Sequence, residues 1–385
     1  MTPADSEITA GLKVAPGLKA PDAVLAVFDL LLVLVGAVCL ITPLIFGQEI
    51  QIPTLAGGHF TLDLTARNLL VFWCLLFVRL VLVPRSGRPG WFAGQAGRMS
   101  VPASAVLIGL VAFALYMNAG QKRRWPSGDT IPIKLTPVSL LEEGNLDLNE
   151  FLDGIYHTRV YGLYWKDGKA LSAYPPASAV TALPVFALFR VLAPEAFHSW
   201  KWSYARHRGD DLPGIVNYAE LCSAALIGAL AVSFFWIFCV WASGSRRVAT
   251  WSALALGAGT SMMSTAGIAL WQHGPACLSL VLMMLFFQKA ETKSRGALVA
   301  AGLFAAWAYA CRPAVAVLLA VMSVWVVIRF RGRAILFFLP AAVLVASVLT
   351  WNYVVYGDPA GGYTQRAARF VPFDWKIFLV LLFSP

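Results

Sequence analysis

Long apolar runs separated by short polar turns dominate the pattern of this chain. We predict apolar segments at 23–46, 67–84, 101–118, 215–242, 249–269, 271–288, 296–310, 313–329, 334–355 and 375–385. Most approach the length of about 20 residues that a helix needs to cross a bilayer. They do not alternate like the strands of a barrel. The pattern therefore predicts an all-α polytopic membrane protein with about 9–10 transmembrane helices.

One long polar segment, residues 119–214, interrupts these runs. Within it, residues 136–143 and 178–193 are predicted to form short helices, and the second is apolar enough to lie in the membrane interface. We expect residues 1–100 to form an N-terminal tail and two additional transmembrane helices, and residues 101–385 to form the main membrane module. The run 375–385 is too short to span, so we expect a fragment, or a chain cut before further helices.

Composition and charge agree with a membrane protein and set its orientation. The chain is 59% hydrophobic and 13% charged, whereas soluble domains have about 25% charged residues. Its formal net charge of +10 is spread over short turns at 85–98, 243–247, 289–295 and 329–333, so we predict no nucleic-acid partner. Basic turns are typically cytoplasmic. This places the N-terminus in the cytoplasm and the segment 119–214 outside.

Asp129 is the first candidate for chemistry on the outer face. It lies in the sequence Ser-Gly-Asp-Thr, beyond the third apolar run. A carboxylate at this level can accept a proton from a hydroxyl or amine nucleophile. The alternative role is a helix cap or an Asx-turn.

The turn Tyr174-Pro175-Pro176 opens the second short helix of the outer segment. Prolines fix the backbone angle φ and stiffen the entry to a helix. The turn either supports a substrate site against the membrane face or only initiates the helix.

Further polar residues fall at outer turns. His273, between two apolar runs, suits phosphate binding, metal ligation or proton transfer, unless it is simply a histidine at a wet turn. Arg312 suits a phosphate or pyrophosphate, or else pairs with a local carboxylate or a lipid head group. Glu220 lies near the outer end of its helix and is predicted to face the same cleft. Asp358 and Tyr363 lie in the outer loop before the final segment. Like Glu220 and the turn at 174–176, they are predicted to contact the substrate or to support the loop.

The order of motifs in the outer segment resembles a known family. Gly128-Asp129-Thr130 is followed by Leu-Leu-Glu-Glu-Gly-Asn-Leu-Asp-Leu at 140–148 and by Lys-Ala-Leu-Ser-Ala-Tyr-Pro-Pro at 169–176. This order is similar to the first outer loop of GT-C-type glycosyltransferases of the protein O-mannosyltransferase and aminoarabinose transferase kind. The resemblance covers residues 101–385. The pieces at 271–274, 311–313, 356–359 and 382–385 are similar to those of uncharacterised bacterial members.

The resemblance implies a site and a substrate class. Asp129 matches the catalytic base of the family. The donor would be a polyprenyl-phosphate sugar, and the acceptor a lipid, glycan or protein at the outer face of a bacterial inner membrane. Thr130 follows Asp129 where the family usually has glutamate, and Ala173-Tyr174 replaces Glu-Lys before the two prolines. These departures leave the donor and the use of a divalent metal open.

Two function classes compete with glycosyl transfer, in which Asp129 would deprotonate the acceptor while Arg312 and His273 hold the leaving phosphate. A non-enzymatic lipid or solute transporter or flippase is the alternative, but the sequence has no inverted repeat and no paired broken helices. A structural scaffold explains neither the context of Asp129 nor the clustering of polar groups on one face.

Overall fold

The computed structural model describes residues 49–53, 59–63, 100–121, 129–151, 162–195, 197, 214–292 and 294–363. The predicted spans 23–46, 67–84 and 375–385, and the basic turn 85–98, lie outside them. The chain divides into two compact units, Met1–Ser104 and Ala105–Pro385. The first unit contains an antiparallel hairpin that was not predicted, in which strand β1 (Glu49–Pro53) pairs with β2 (His59–Asp63).

Helices make up nearly all of the rest. The helices whose bounds are described are α1 Val101–Gln121, α2 Thr130–Glu142, α3 Ala177–Leu192, α4 Gly214–Ser243, α5 Arg246–Gly259, α6 His273–Glu291, α7 Arg295–Cys311, α8 Ala316–Phe330 and α9 Ile335–Tyr356. A second hairpin, β3 (Leu163–Lys166) and β4 (Lys169–Ser172), precedes α3. The predicted short helix 178–193 corresponds to α3, and 136–143 is the second half of the longer α2.

The predicted run 249–269 is wrong in its second half. Helix α5 ends at Gly259, Thr260 is extended, and a single π-helical turn follows at Met262–Ala266. The Thr260 hydroxyl donates to the Leu256 carbonyl at 2.6 Å and accepts from the Met262 amide at 3.2 Å. Such side-chain bonds compete with the helical ladder, so the chain runs irregularly from here to the start of α6.

Among the described residues, three helical stretches are long and apolar enough to cross a membrane, namely Val101–Gly120, Ile215–Ser243 and Pro313–Tyr356. They indicate an integral membrane protein. The second stretch is 61% buried and lies at the centre of the bundle, whereas the third is 11% buried and lies at its periphery. The third contains α8, the 3₁₀ turn Arg331–Ala334 and α9.

The described part of the long polar segment forms a layer on one end of the bundle. Helix α2 is buried on all sides from Pro132 to Ser139, although it contains two prolines. Its apolar side chains join those of α3 and of the first half of α4 in one core, which includes Ile133, Leu135, Val138, Ala179, Phe186, Val216 and Ala219. We call this the outer layer, defined as residues 129–151 and 162–192.

The bundle has two chemically different ends. At the outer layer, the Tyr164 hydroxyl donates to the carbonyl of Tyr356, the last residue of α9, at 2.8 Å. At the other end of α9 and its neighbours, Arg329 forms a bidentate ion pair with Glu291. The described basic turns also join helices at that second end. They are residues 243–247, 289–292 with 294–295, and 329–333. The basic turns and the outer layer are therefore at opposite ends of the helices.

Candidate functional site

Asp129 occupies the position just before α2, but its side chain does not cap the helix. Instead, its Oδ1 accepts a short hydrogen bond from the Tyr174 hydroxyl, which comes from the turn before α3. Within the described residues, the hydrogen bond expected of a helix cap is thus not made. The hydrogen bond from Tyr174 is the one that the described part of the chain gives to this carboxylate.

Tyr174 is held by the hairpin that precedes it. Its amide donates to the Ser172 hydroxyl at 3.2 Å, and the Ala173 amide donates to the Gly162 carbonyl at 2.6 Å. Gly162 has a φ of +94°, and a Cβ there would lie 2.7 Å from the Tyr174 ring, so only glycine fits. Pro176 then occupies the N-cap position of α3. The hairpin and the prolines together fix the direction of the tyrosine.

Helices α3, α6 and α7 meet beside this tyrosine. One buried cluster joins the three helix ends. It contains Ala177 at the start of α3, Ala276 in the first turn of α6, and Ala310 with Cys311 at the end of α7. Small side chains let the helix ends approach closely. This packing brings the residue that follows α7, Arg312, to the level of His273, the first residue of α6.

His273 lies near both charged residues of the site. Both the Arg312 guanidinium and the Asp129 carboxylate act electrostatically on its imidazole. Its Nδ1 is buried and has no hydrogen-bond partner among the described residues. The Trp271 ring meets the imidazole edge-on, with centroids 5.9 Å apart, and the Trp271 Nε1 is likewise buried without a partner in that part of the chain.

Arg312 is half-buried. Within the described ranges, its guanidinium makes no hydrogen bond or ion pair. The alternative in which Arg312 pairs with a local carboxylate is therefore not seen there. A cation in this situation is suited to bind an anionic ligand.

A shallow pocket opens next to these residues, with about 310 Å³ of empty space including open solvent. Tyr174, Pro175, Tyr309, Pro313 and Asn352 are among its lining residues, and none of the lining residues is acidic or basic. Aromatic rings and an amide are suited to an uncharged polar group. The pocket therefore differs in chemistry from the charged site beside it.

The structure does not bring all predicted residues to the site. Glu220 is buried in an ion pair with Lys134, at 2.8 Å, and also accepts from the Leu270 amide, so its carboxylate supports the packing of a loop. The Asp358 carboxylate accepts from the Ala360 amide at 2.8 Å and so supports its own turn. Tyr363 belongs to the 3₁₀ turn Gly361–Tyr363.

Sequence reasoning missed Lys134 and the contacts of the hairpin. A lysine in Ile-Pro-Ile-Lys-Leu, between apolar residues, was a signal for a buried cation, although nothing local in the sequence indicated its partner. The Tyr164 ring packs edge-on against Tyr356 at 5.2 Å, and the Tyr356 hydroxyl donates to the Ser172 carbonyl at 2.9 Å. These bonds tie the turn at Tyr174 to the end of α9.

The arrangement combines a carboxylate that can take a proton, a cation that can hold an anion, and an imidazole near enough to interact with both. No group of three or more His, Cys, Asp or Glu residues that could hold a metal occurs among the described residues. No protein-family model, curated protein or solved structure matches the chain.

Proposed function

We propose that this chain is a membrane glycosyltransferase with a GT-C-like bundle of helices, which moves a sugar from a polyprenyl-phosphate donor to an acceptor. The observation that carries the proposal is that Asp129 and Arg312 lie at one end of the bundle, near enough to His273 for both charges to act on its imidazole. The Asp129 side chain is oriented by the hydrogen bond from Tyr174 and does not cap its own helix. A base and an anion-binding cation side by side are what this transfer requires.

The reaction would be a single displacement with inversion. The acceptor hydroxyl or amine attacks the anomeric carbon, and its proton passes to Asp129. The bond between that carbon and the phosphate oxygen breaks, and the polyprenyl phosphate leaves with the electron pair. Arg312 stabilises the leaving phosphate, with His273 as a second contact. Because a lipid phosphate is a fair leaving group, positioning and charge stabilisation supply most of the catalysis.

The surface beyond Arg312 favours a lipid substrate. Pro313 starts the least buried of the membrane-spanning stretches, and Val317, Val321 and Ile328 on α8 are 64–77% exposed. Their spacing places them on one side of the helix. A donor with its phosphate at Arg312 can therefore lay its polyprenyl tail along α8 within the bilayer.

The two ends of the bundle support an orientation for this reaction. Basic turns favour the cytoplasm, and the described ones lie at the end away from Asp129. We therefore place the site on the periplasmic face of a bacterial inner membrane, with the N-terminus in the cytoplasm and about 9–10 spanning helices in the whole chain.

A lipid or solute transporter is the second candidate, because an exposed apolar helix beside a cation also suits flipping of an anionic lipid. A transporter moving a charged cargo needs polar groups along a path through the bilayer. Among the described residues, the buried charged side chains are Lys134 and Glu220, both in or beside the outer layer. The described interior thus favours the transferase.

Mass spectrometry of cell-envelope glycans and lipids tests the proposal directly in cells. Deleting the gene should remove one sugar modification. Wild-type protein should restore it, while Asp129→Asn, expressed and inserted to the same level, should not. An envelope unchanged by deletion, or full restoration by Asp129→Asn, would contradict glycosyl transfer at this site.

A further inference from the structure

One buried carboxylate joins three separate segments of the molecule. Lys134, on α2, is fully buried, and its Nζ donates to Glu220 Oε2 at 2.8 Å and to Asn217 Oδ1 at 2.9 Å, both on α4. The other oxygen of Glu220, Oε1, accepts from the backbone amide of Leu270 at 3.2 Å. Leu270 belongs to the irregular segment between α5 and α6.

Burial of this pair is not explained by stability alone. Removing two charges from water is costly, and well-packed apolar residues often hold helices together equally well or better. An ion pair with further hydrogen bonds restricts the geometry of the segments that carry it, because each oxygen and each N–H must meet its partner. The pair therefore fixes where its three segments lie relative to one another.

The segments so joined are those that carry the candidate site. Lys134 lies on α2, and Asp129 immediately precedes the first residue of that helix. Leu270 lies three residues before His273, in a stretch without regular helical bonds. Leu270 is buried in the same core as α2 and α4. The backbone hydrogen bonds that the stretch makes within itself are local, whereas the bond from the Leu270 amide to Glu220 ties its backbone to α4.

We propose that the Lys134–Glu220 pair is a positioning device that sets the separation of Asp129 and His273. Neither side chain touches the substrate; Lys134 holds the helix of Asp129, and Glu220 holds the segment of His273. The consequence for catalysis rests on the proposed glycosyl transfer, whereas the geometric claim does not.

The geometric claim is tested on purified protein without any substrate. The titration midpoint of His273 is followed by NMR with isotope-labelled histidine, and the signal is assigned by its loss in His273→Gln. In the wild-type background, Asp129→Asn should change this midpoint, because the two groups interact. In Lys134→Met/Glu220→Gln, which neutralises both partners and retains a side-chain oxygen for Leu270, the change caused by Asp129→Asn should be measurably different in size, because the separation of Asp129 and His273 is altered.

The matched control neutralises the ion pair at the opposite end of the bundle, Arg329→Met/Glu291→Gln. It should leave the response of His273 to Asp129→Asn at its wild-type size. An unchanged response in the Lys134→Met/Glu220→Gln background would overturn the positioning role. If neither that double variant nor Glu220→Gln alone folds, the pair serves only the stability of the fold. That outcome would also overturn the positioning role.

A measurement of enzyme kinetics distinguishes the positioning role from the proposed function. Once a donor is identified, Lys134→Met/Glu220→Gln should lower kcat by about 10²-fold, the loss expected from a misplacement near 1 Å, with the donor KM unchanged. A folded double variant with wild-type kcat would contradict positioning while leaving glycosyl transfer intact. A wild-type protein without transfer activity, but with the expected histidine response, would contradict only glycosyl transfer.

Discussion

At the scale of single residues, the candidate site consists of polar groups that the described part of the protein does not satisfy. The guanidinium of Arg312 and the buried nitrogens His273 Nδ1 and Trp271 Nε1 have no partner there. Buried polar groups in native proteins nearly always have partners. An anionic ligand such as a lipid phosphate would supply them.

The role of Arg312 can be tested by its substitution. Arg312→Ala should weaken binding of farnesyl phosphate, a short polyprenyl phosphate, by roughly 10- to 100-fold, since a hydrogen bond to a charged group is worth about 1.5–3 kcal/mol. Arg312→Lys should restore part of the loss, because an ammonium lacks the planar fork. Calorimetry on detergent-solubilised protein measures both. Equal affinity of Arg312→Ala and wild type would exclude the phosphate contact.

The sequence could predict those residues that are chemically out of place in their own neighbourhood. Asp129, Tyr174, His273 and Arg312 each interrupt or flank an apolar run, and the structure brings them together. The partner of Glu220 could not be predicted, because Lys134 is separated from it by 86 positions and no local pattern links them. For the same reason the ion pair of Glu220 was not predicted.

At the scale of elements, apolar periodicity predicted most described helices but not the places where helices begin or break. Helix α2 begins at Thr130 rather than near 136, although Pro132 and Pro137 lie within it, because the surrounding core buries it completely. The break after Gly259 depends on the bonds of the Thr260 side chain. The two hairpins are short and depend on pairing between strands, which a single run of residues does not show.

Contact between α7 and α9 gives a prediction at this scale. A Cβ at Gly302 would lie 2.2 Å from the Phe337 carbonyl oxygen, so Gly302→Ala must push the helices apart. Overpacking of this kind costs about 1–3 kcal/mol, and the melting temperature should fall. Gly296→Ala on the same helix is the control, since a Cβ there meets nothing within 4 Å, and it should be neutral or slightly stabilising. Equal melting temperatures for both variants would contradict this packing.

At the scale of the whole molecule, the described basic turns and the candidate site lie at opposite ends of an apolar bundle. Composition alone predicted a membrane protein, and the three apolar stretches agree with it. The layer at the end that holds the candidate site could not be predicted as a compact body. Its core is built from residues far apart in sequence, such as Ile133, Phe186 and Ile227.

Orientation in the membrane can be measured by labelling single cysteines in a cysteine-free background. Lys169→Cys, on the exposed hairpin of the outer layer, should react with an impermeant maleimide in intact spheroplasts. Arg247→Cys, in a basic turn, should react only after permeabilisation. The reverse pattern would put the site on the cytoplasmic face and would remove the basis for a periplasmic reaction.

The central claim is that Asp129 takes the proton of the acceptor during sugar transfer. Its most direct test is the turnover of purified Asp129→Asn with the polyprenyl-phosphate sugar identified from the envelope. The amide has nearly the same shape but cannot accept the proton, so kcat should fall by about 10² to 10⁴ or more, while farnesyl phosphate binds as in wild type. Near wild-type turnover of a folded Asp129→Asn protein would contradict the account.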